Sequence, residues 1–512
     1  MKLEYKDYIE KVRGCWNGKN IGGTLGAPFE CIRREFDVSY YQQDLNKPLP
    51  NDDLDLQLVW LNAVEKHGRG INSHILGEYW LSHIIPAWAE YGAGKNNMRM
   101  GLVPPLSGYV GNKFRDSNGS YILMEIWACL CPGHPELAVK YAYEDATVDH
   151  SKEGVYASVF IAAIESAAFA ESDRDTLIDI GLSYLPEDSA IHKAVACARK
   201  CHETGMTWKE ARKKLLQEVP CSFGLIGTDP CEIPDDEPIG PMGYDAPCHM
   251  GLIVMAWLYG EGDFDRSICI AASCGEDSDC TAGTLAAILG IINGNSAIDE
   301  KWLKPLGGFI ETTCVNLNDS NIKIPKTIDE LVERIAKQTA RFLDAEFIDF
   351  MSEAPGYDIL IDESALFFKP QRLSCWYSRD NRRLMANPFV VKHHFVPFDV
   401  YVDYGGEPYI TCGEPKKFIL TFENNYLNQQ WLNVNVILPE GWQISPARGI
   451  AVCLEQAHCN VPLARITLEI TPDFPEKPRY DILIQIISAG RHMQGIVPIV
   501  LLSGSDSQIT EE

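Results

Sequence analysis

The sequence predicts two domains in series: an all-α domain over residues 1–345 and an antiparallel, immunoglobulin-like β-sandwich over 376–505. A connector at 346–375 joins them and a polar tail occupies 506–512. Three observations carry this reading. At 512 residues the chain exceeds what one ordinary core supports. Up to about residue 345, apolar positions recur at the three-to-four-residue spacing of helices. Beyond 375 they alternate in short runs divided by turn residues.

Residues 4–26 read as a helix carrying Gly14, Gly18 and Gly22 on one stripe, with Gly23 and Gly26 beside it. A glycine inside a helix costs about 1 kcal/mol, so the stripe must admit something that side chains would exclude. Either a close helix crossing or a ligand would do so. Residues 54–67 and 71–91 continue as helix, the second up to or through Pro86, where a kink or stop is expected. Residues 98–108, with Pro104-Pro105 between Gly101 and Gly108, read as a long surface loop of the kind that carries binding groups. Helical patterns return at 136–148, 152–170, 174–184, 191–202 and 208–217. A loop rich in proline, glycine and acid covers 220–243, and its Asp235-Asp236-Glu237 run reads as solvated. Helices resume at 249–259, 264–274, 281–292 and 328–342. Strand-like runs then occupy 400–403, 417–422, 432–438, 450–454, 465–470, 481–487 and 495–502, the spacing of a sandwich.

Composition narrows the function. A formal charge of −26 argues against a nucleic-acid backbone as partner. No apolar run approaches the roughly 20 residues that span a bilayer, so no membrane partner is expected. The first residues, Met1 to Tyr8, are charged and amphipathic, unlike a secretory signal. The 17 cysteines show neither a zinc-type pair nor a regular disulfide framework, which points to reduced thiols and a cytoplasmic location. An anionic substrate would need a local cation on so acidic a protein.

Two acidic knots stand out: Asn51-Asp52-Asp53-Leu54-Asp55 and Gly275-Glu276-Asp277-Ser278-Asp279-Cys280. Each opens a helical pattern. Acids at a helix start ordinarily cap it. Two knots denser than a cap requires point instead to a shared metal site, because hard divalent ions take several oxygen ligands drawn from more than one segment.

Four segments, in order, carry a family resemblance. They are Gly26-Ala27-Pro28-Phe29-Glu30 closing the glycine helix, Asn51-Asp52-Asp53 at the place of Thr-Asp-Asp, Asp145-Ala146-Thr147-Val148-Asp149-His150 before the central helix, and Gly275-Glu276-Asp277-Ser278-Asp279-Cys280 at the place of Gly-Gly-Asp-x-Asp-Thr. Over residues 8–340 the chain resembles the ADP-ribosylglycohydrolase family, which includes the dinitrogenase reductase-activating glycohydrolases. The resemblance implies an all-α domain holding two magnesium ions, with manganese the alternative. It implies Asn51, Asp52, Asp53, Asp277 and Asp279 as ligands, and cleavage of the glycosidic bond of an ADP-ribosyl or related ribosyl group by a metal-activated water. Two departures mark a distinct branch. Asn51 replaces a threonine but keeps a hard oxygen donor. Cys280 also replaces a threonine, and a thiol is a poor magnesium ligand, which leaves the number of ions open.

Glu30, Asp53 and Asp279 are the expected catalytic carboxylates, Glu30 positioning water or passing a proton. Gly101, Ser107, Gly108, His150 and Gly275 are the expected substrate-binding positions, with a structural hydrogen bond as the other reading of His150. Cys280 is a poor nucleophile candidate, since surrounding acids suppress its thiolate. The expected substrate is a small molecule or a protein-linked ADP-ribosyl group. The alternatives are hydrolysis of nucleosides or another small glycoside, and a non-catalytic ribosyl- or carbohydrate-binding module. The sandwich lies outside the resemblance and is a candidate surface for homo-oligomers.

Overall fold

The computed structural model describes residues 1–504 except 234, 236, 317–320, 351–355, 370–386, 427, 457–462 and 474–476. The expected tail at 506–512 and Asp236 of the acidic run lie outside the described residues.

The first helix, Tyr5–Gly26, is the spine of the helical domain, and its glycine stripe serves a helix crossing. Gly14, Gly18, Gly22 and Gly26 lie against the carbonyls of Gly290, Ala286, Ala282 and Ser278 in helix Ser278–Asn293, each carbonyl standing where a β-carbon would be. The four-residue steps run in opposite directions, so the two helices pack antiparallel with no side chain between their backbones. That pairing puts the end of the first helix, with Glu30 just beyond it, beside the start of the second, with Asp277 and Asp279.

The helical pattern of 71–91 stops at His83, short of Pro86, and a new helix runs Ala89–Arg99. Helices Pro135–Ala146, Glu153–Ala167, Arg174–Ser183, Ala190–Glu203, Trp208–Glu218, Ala246–Gly260, Phe264–Ser273 and Ile328–Phe342 follow the periodic stretches, differing by up to three residues at their ends. Two buried helices, Leu106–Tyr109 and Glu125–Leu130, are too short to show a period.

The reading of 98–108 as a surface loop is corrected. Leu102 and Leu106 are buried and, with Val110, belong to the apolar core of the β-domain. Tyr109 meets Phe389 edge-on with ring centroids 4.8 Å apart. Prolines and glycines make this segment irregular, but its leucines are driven out of water like any others.

Among the described residues the β-domain has two five-stranded sheets. One runs Val390–Phe395, Phe398–Asp403, Lys416–Asn424, Leu463–Thr471, Gln443–Ser445 in spatial order. The other runs Gly449–Leu454, Gln430–Ile437, Arg479–Ser488, Gln494–Ser503, Tyr409–Ile410. All neighbours are antiparallel except Tyr409–Ile410, which pairs parallel with Gln494–Ser503. Phe418, Leu420 and Phe422 of the first sheet share one core with Val434, Ile484 and Ile499 of the second. Within the expected connector, Ile348–Phe350 and Tyr357–Leu360 pair with each other, and the latter pairs with Lys2–Leu3. This small sheet closes the helical core, where Ile359 and Leu366 are buried. No described helix is long and apolar enough to cross a membrane.

Candidate metal centre

Helix Asp52–His67 and helix Ser278–Asn293 both open on acids, and the two openings meet. Cys280 Sγ–H donates to Asp53 Oδ1 at 3.2 Å. One ligand atom each from Asp53, Asp279 and Cys280 lies within 4.8 Å of the others, and the same holds for Glu30, Asp277 and Asp279. Three distant stretches of chain thus supply one cluster of oxygens.

Local chemistry explains each placement. Asn51 caps its helix, Oδ1 accepting from the Asp53 N–H at 2.8 Å. Asp52 Oδ2 accepts from the Tyr91 hydroxyl at 3.2 Å. Asp55, the last acid of this knot, turns away and accepts from the N–H groups of Thr313 and Cys314 at 2.5 and 2.6 Å. In the other knot, Gly275 and Glu276 take successive left-handed conformations, φ 64° and 61°. Such a turn is costly for a non-glycine residue, and Glu276 is clamped in it. Arg33 Nε and Nη2 donate to its two oxygens at 2.8 and 3.1 Å, Arg212 Nη2 to Oε1 at 3.3 Å, and the Gly224 N–H to Oε2 at 2.8 Å. Burial works to raise the Glu276 carboxyl, but the two guanidinium groups outweigh it and leave it below its ordinary range. The clamped turn then delivers Asp277 and Asp279 inward.

Among the described residues, donors are largely missing around Asp277 and Asp279. Asp277 is fully buried, and neither of its oxygens, nor Oδ1 of Asp279, has a hydrogen-bond partner among the described residues. Burial and then the Asp279 charge push the Asp277 carboxyl well up; burial and then Glu30 push Asp279 up to about 7. Glu30 sits exposed at the rim, yet the surrounding protein, followed by Asp52 and Asp53, raises it to about 7 as well. Carboxylates crowded in this way cannot all be charged without a cation. Hard oxygens left open in a buried cluster fit a magnesium-type ion.

Several neighbours of the cluster escape a reading of the sequence. Lys19 is buried in the glycine helix, with Nζ 3.3 Å from Asp53 Oδ2 and 2.9 Å from Glu125 Oε1. Its signal was a lysine between Gly18 and Gly22, on a stripe that has to be buried. His249, in helix Ala246–Gly260, places Nδ1 3.8 Å from Asp277 Oδ2, and neither ring nitrogen has a hydrogen bond among the described residues. Burial lowers this imidazole to about 4, so it is neutral at physiological pH. His249 also approaches Cys221 and Glu276, but the arginines on Glu276 already supply the positive charge there.

Of the expected substrate-binding positions, Gly275 lies in the turn itself and packs against the carbonyls of Ile32 and Arg34. Ser107 is fully buried and Oγ donates to the Val148 carbonyl at 2.6 Å. Gly108 packs on the backbone of His150, and Gly101 on the guanidinium of Arg479 in the β-domain. His150 is fully buried, with Nδ1 2.8 Å from Asp149 Oδ1 and Nε2 3.1 Å from Ser117 Oγ. Its hydrogen-bonding capacity is taken up by the fold.

Comparison with known proteins bears on this cluster. A family model described as ADP-ribosylglycohydrolase matches residues 4–341. No curated protein matches the chain. Among solved structures, an ADP-ribosylglycohydrolase-related protein complex aligns at 16% identity over 66% of this chain and 100% of that one, with a TM-score of 0.43. The alkylpurine DNA glycosylase AlkC of Pseudomonas fluorescens, bound to DNA containing an abasic site analog, aligns at 12% identity over 87% and 96% with a TM-score of 0.12. Neither superposition is tight enough to carry an argument. The family model takes in most of the chain and every acid of the cluster, and on that ground this chain belongs to the ADP-ribosylglycohydrolase family.

Proposed function

We propose that the helical domain hydrolyses the glycosidic bond of an ADP-ribosyl or related ribosyl group, with a magnesium-type divalent cation held by Asp52, Asp53, Asp277 and Asp279. Family membership supports hydrolysis of glycosyl bonds in general. The observation that carries the rest is that both oxygens of buried Asp277 and Oδ1 of Asp279 have no hydrogen-bond partner among the described residues, beside the rim carboxylate of Glu30.

When bound, such a cation makes a nearby water more acidic and can orient the adjacent hydroxyls of a sugar. The residues of the chain supply the remaining functions. Glu30, the exposed member, can reach a water outside the cluster and take its proton on a carboxylate oxygen. Asp53 and Asp279 present negative charge towards the positive charge that builds at an anomeric carbon during cleavage. Asn51 Oδ1 already holds the helix start, and an amide oxygen keeps a second lone pair for a cation. Gly275 forms the turn beside which a sugar would lie. The described cysteines all carry free thiols, which suits a reducing cytoplasm.

The test is an assay of the purified protein against ADP-ribosyl-arginine and ADP-ribosyl-serine peptides and simple nucleosides, with magnesium and with a chelator. The expected result is metal-dependent release of ADP-ribose from one of the peptides, lost in Asp279→Ala. Cleavage confined to nucleosides, or unaffected by the chelator, would overturn the proposal.

A further inference from the structure

We infer that this chain takes one divalent cation per site, and that the buried ammonium of Lys19 is the site's second positive charge. The inference rests on the cation-dependent reading above and concerns what already engages Asp53.

Asp53 is occupied on both sides. Its Oδ2 faces Lys19 Nζ at 3.3 Å, and its Oδ1 accepts the Cys280 thiol at 3.2 Å. Both partners are held in place. Lys19 lies on the helix whose glycines are locked against Ser278–Asn293, its side chain is 1% exposed, and its ammonium is pinned from the other side by Glu125 at 2.9 Å. Glu125 is itself steadied by Gln57 Nε2, which donates to Oε2 at 2.7 Å. Gly283 leaves room for the lysine stem, which passes 3.4 Å from where a β-carbon would stand. A dication taking Asp53 as ligand would face this ammonium across the same carboxylate, and its remaining donor there would be a sulfur, which suits magnesium poorly.

Asp53 Oδ2 has no hydrogen bond among the described residues and meets Lys19 as an ion pair; the oxygens with neither a hydrogen bond nor an ammonium lie elsewhere. Both oxygens of Asp277 and Oδ1 of Asp279 have no partner, and these two residues group with Glu30. They define one hard-cation position at the rim side of the cluster, which narrows the direct ligands among the acids proposed above to Asp277 and Asp279 and leaves Asp53 to Lys19 and Cys280. At the inner side, Lys19 and Cys280 perform what a second ion would otherwise do: the ammonium neutralises Asp53 and the thiol donates to its Oδ1. The ammonium comes with the fold and cannot be removed by a chelator.

Counting bound manganese tests this without recourse to activity. The full-length protein, freed of metal, is titrated with Mn2+ by calorimetry, and the free ion is followed by electron paramagnetic resonance. One ion per chain with an uncoupled spectrum is the expected result. Two ions per chain with a spin-coupled pair would overturn the inference while leaving the cation-dependent reading intact; no bound ion would overturn both. The variant Lys19→Met/Glu125→Gln/Cys280→Thr removes the ammonium together with its counter-charge and restores a hydroxyl. Its count is expected to rise from one to two. A count that stays at one in the folded variant would overturn the role given to Lys19 and Cys280. The wild-type count decides the main claim even if that variant does not fold.

Discussion

Cys280 Sγ lies 3.2 Å from Asp53 Oδ1, thiol donating to carboxylate, across 227 positions of sequence. The contact joins the two acidic helix openings, and the glycine crossing of Tyr5–Gly26 with Ser278–Asn293 brings Glu30 to the same place. Replacing the thiol with another donor should preserve this junction, so Cys280→Thr is expected to keep activity. Cys280→Ala leaves Asp53 Oδ1 without its donor and should cost about 1 kcal/mol of stability. Urea unfolding of the two variants distinguishes these outcomes.

Asp277 is a buried, crowded carboxyl with no hydrogen-bond partner among the described residues, so its amide isostere should fold better and bind worse. Asp277→Asn is expected to gain about 1–2 kcal/mol of metal-free stability and to lose the thermal stabilisation that Mn2+ gives the wild type. Thermal unfolding with and without Mn2+ checks both halves. An undiminished Mn2+ shift in the variant would remove Asp277 from the ligand set.

The glycine crossing tolerates no side chain. Gly18→Ala gains up to about 1 kcal/mol of helix propensity, yet its methyl would meet the carbonyl of Ala286. Overpacking of this kind costs about 1–3 kcal/mol, so net destabilisation is expected. A urea midpoint equal to or above the wild type would show that the two helices can separate without loss.

Arg33 holds a buried charge rather than adding a surface pair. Arg33→Met leaves Glu276 with Arg212, the Gly224 N–H and the Cys221 thiol, and breaking a buried pair costs about 3–5 kcal/mol. Adding Glu276→Gln to Arg33→Met should return part of that loss, which a double-mutant cycle measures.

His393, on strand Val390–Phe395, faces His74 of helix Ser73–His83 with ring centroids 5.5 Å apart. Burial, and then His74, lower its imidazole to about 3 from 6.5. The folded protein keeps it neutral while the unfolded chain takes up a proton below about 6.5. This group therefore costs nothing at neutral pH and removes stability as pH falls from 6.5 towards 3. His393→Gln should flatten that decline by about 1–2 kcal/mol at pH 4.5, measured by equilibrium unfolding at pH 7 and pH 4.5.

Much of the fold is legible in the residues. The change of period near 345 separates helices from strands, Pro86 marks a stop, and Gly14, Gly18 and Gly22 announce a face that must be approached closely. The acids of both knots stand out for being denser than caps require. Less legible is what each feature meets. Leu102 and Leu106 sit among prolines and glycines with no period, and only their burial in the β-domain shows their use. Ser107 and His150 carry functional groups, but hydrogen bonds to Val148, Asp149 and Ser117 consume them.

By itself the sequence determined the order of helices and strands, the stripe that admits a backbone, and the acids available to a cation, because propensity and periodicity are local properties of a chain. Only the tertiary structure decided that the stripe meets Ser278–Asn293, that Lys19 lies behind Asp53, and that Asp277 is left without a donor. Those are relations across hundreds of residues. They follow from which surfaces fill one another's space once water has been excluded, and no spacing along the chain encodes them.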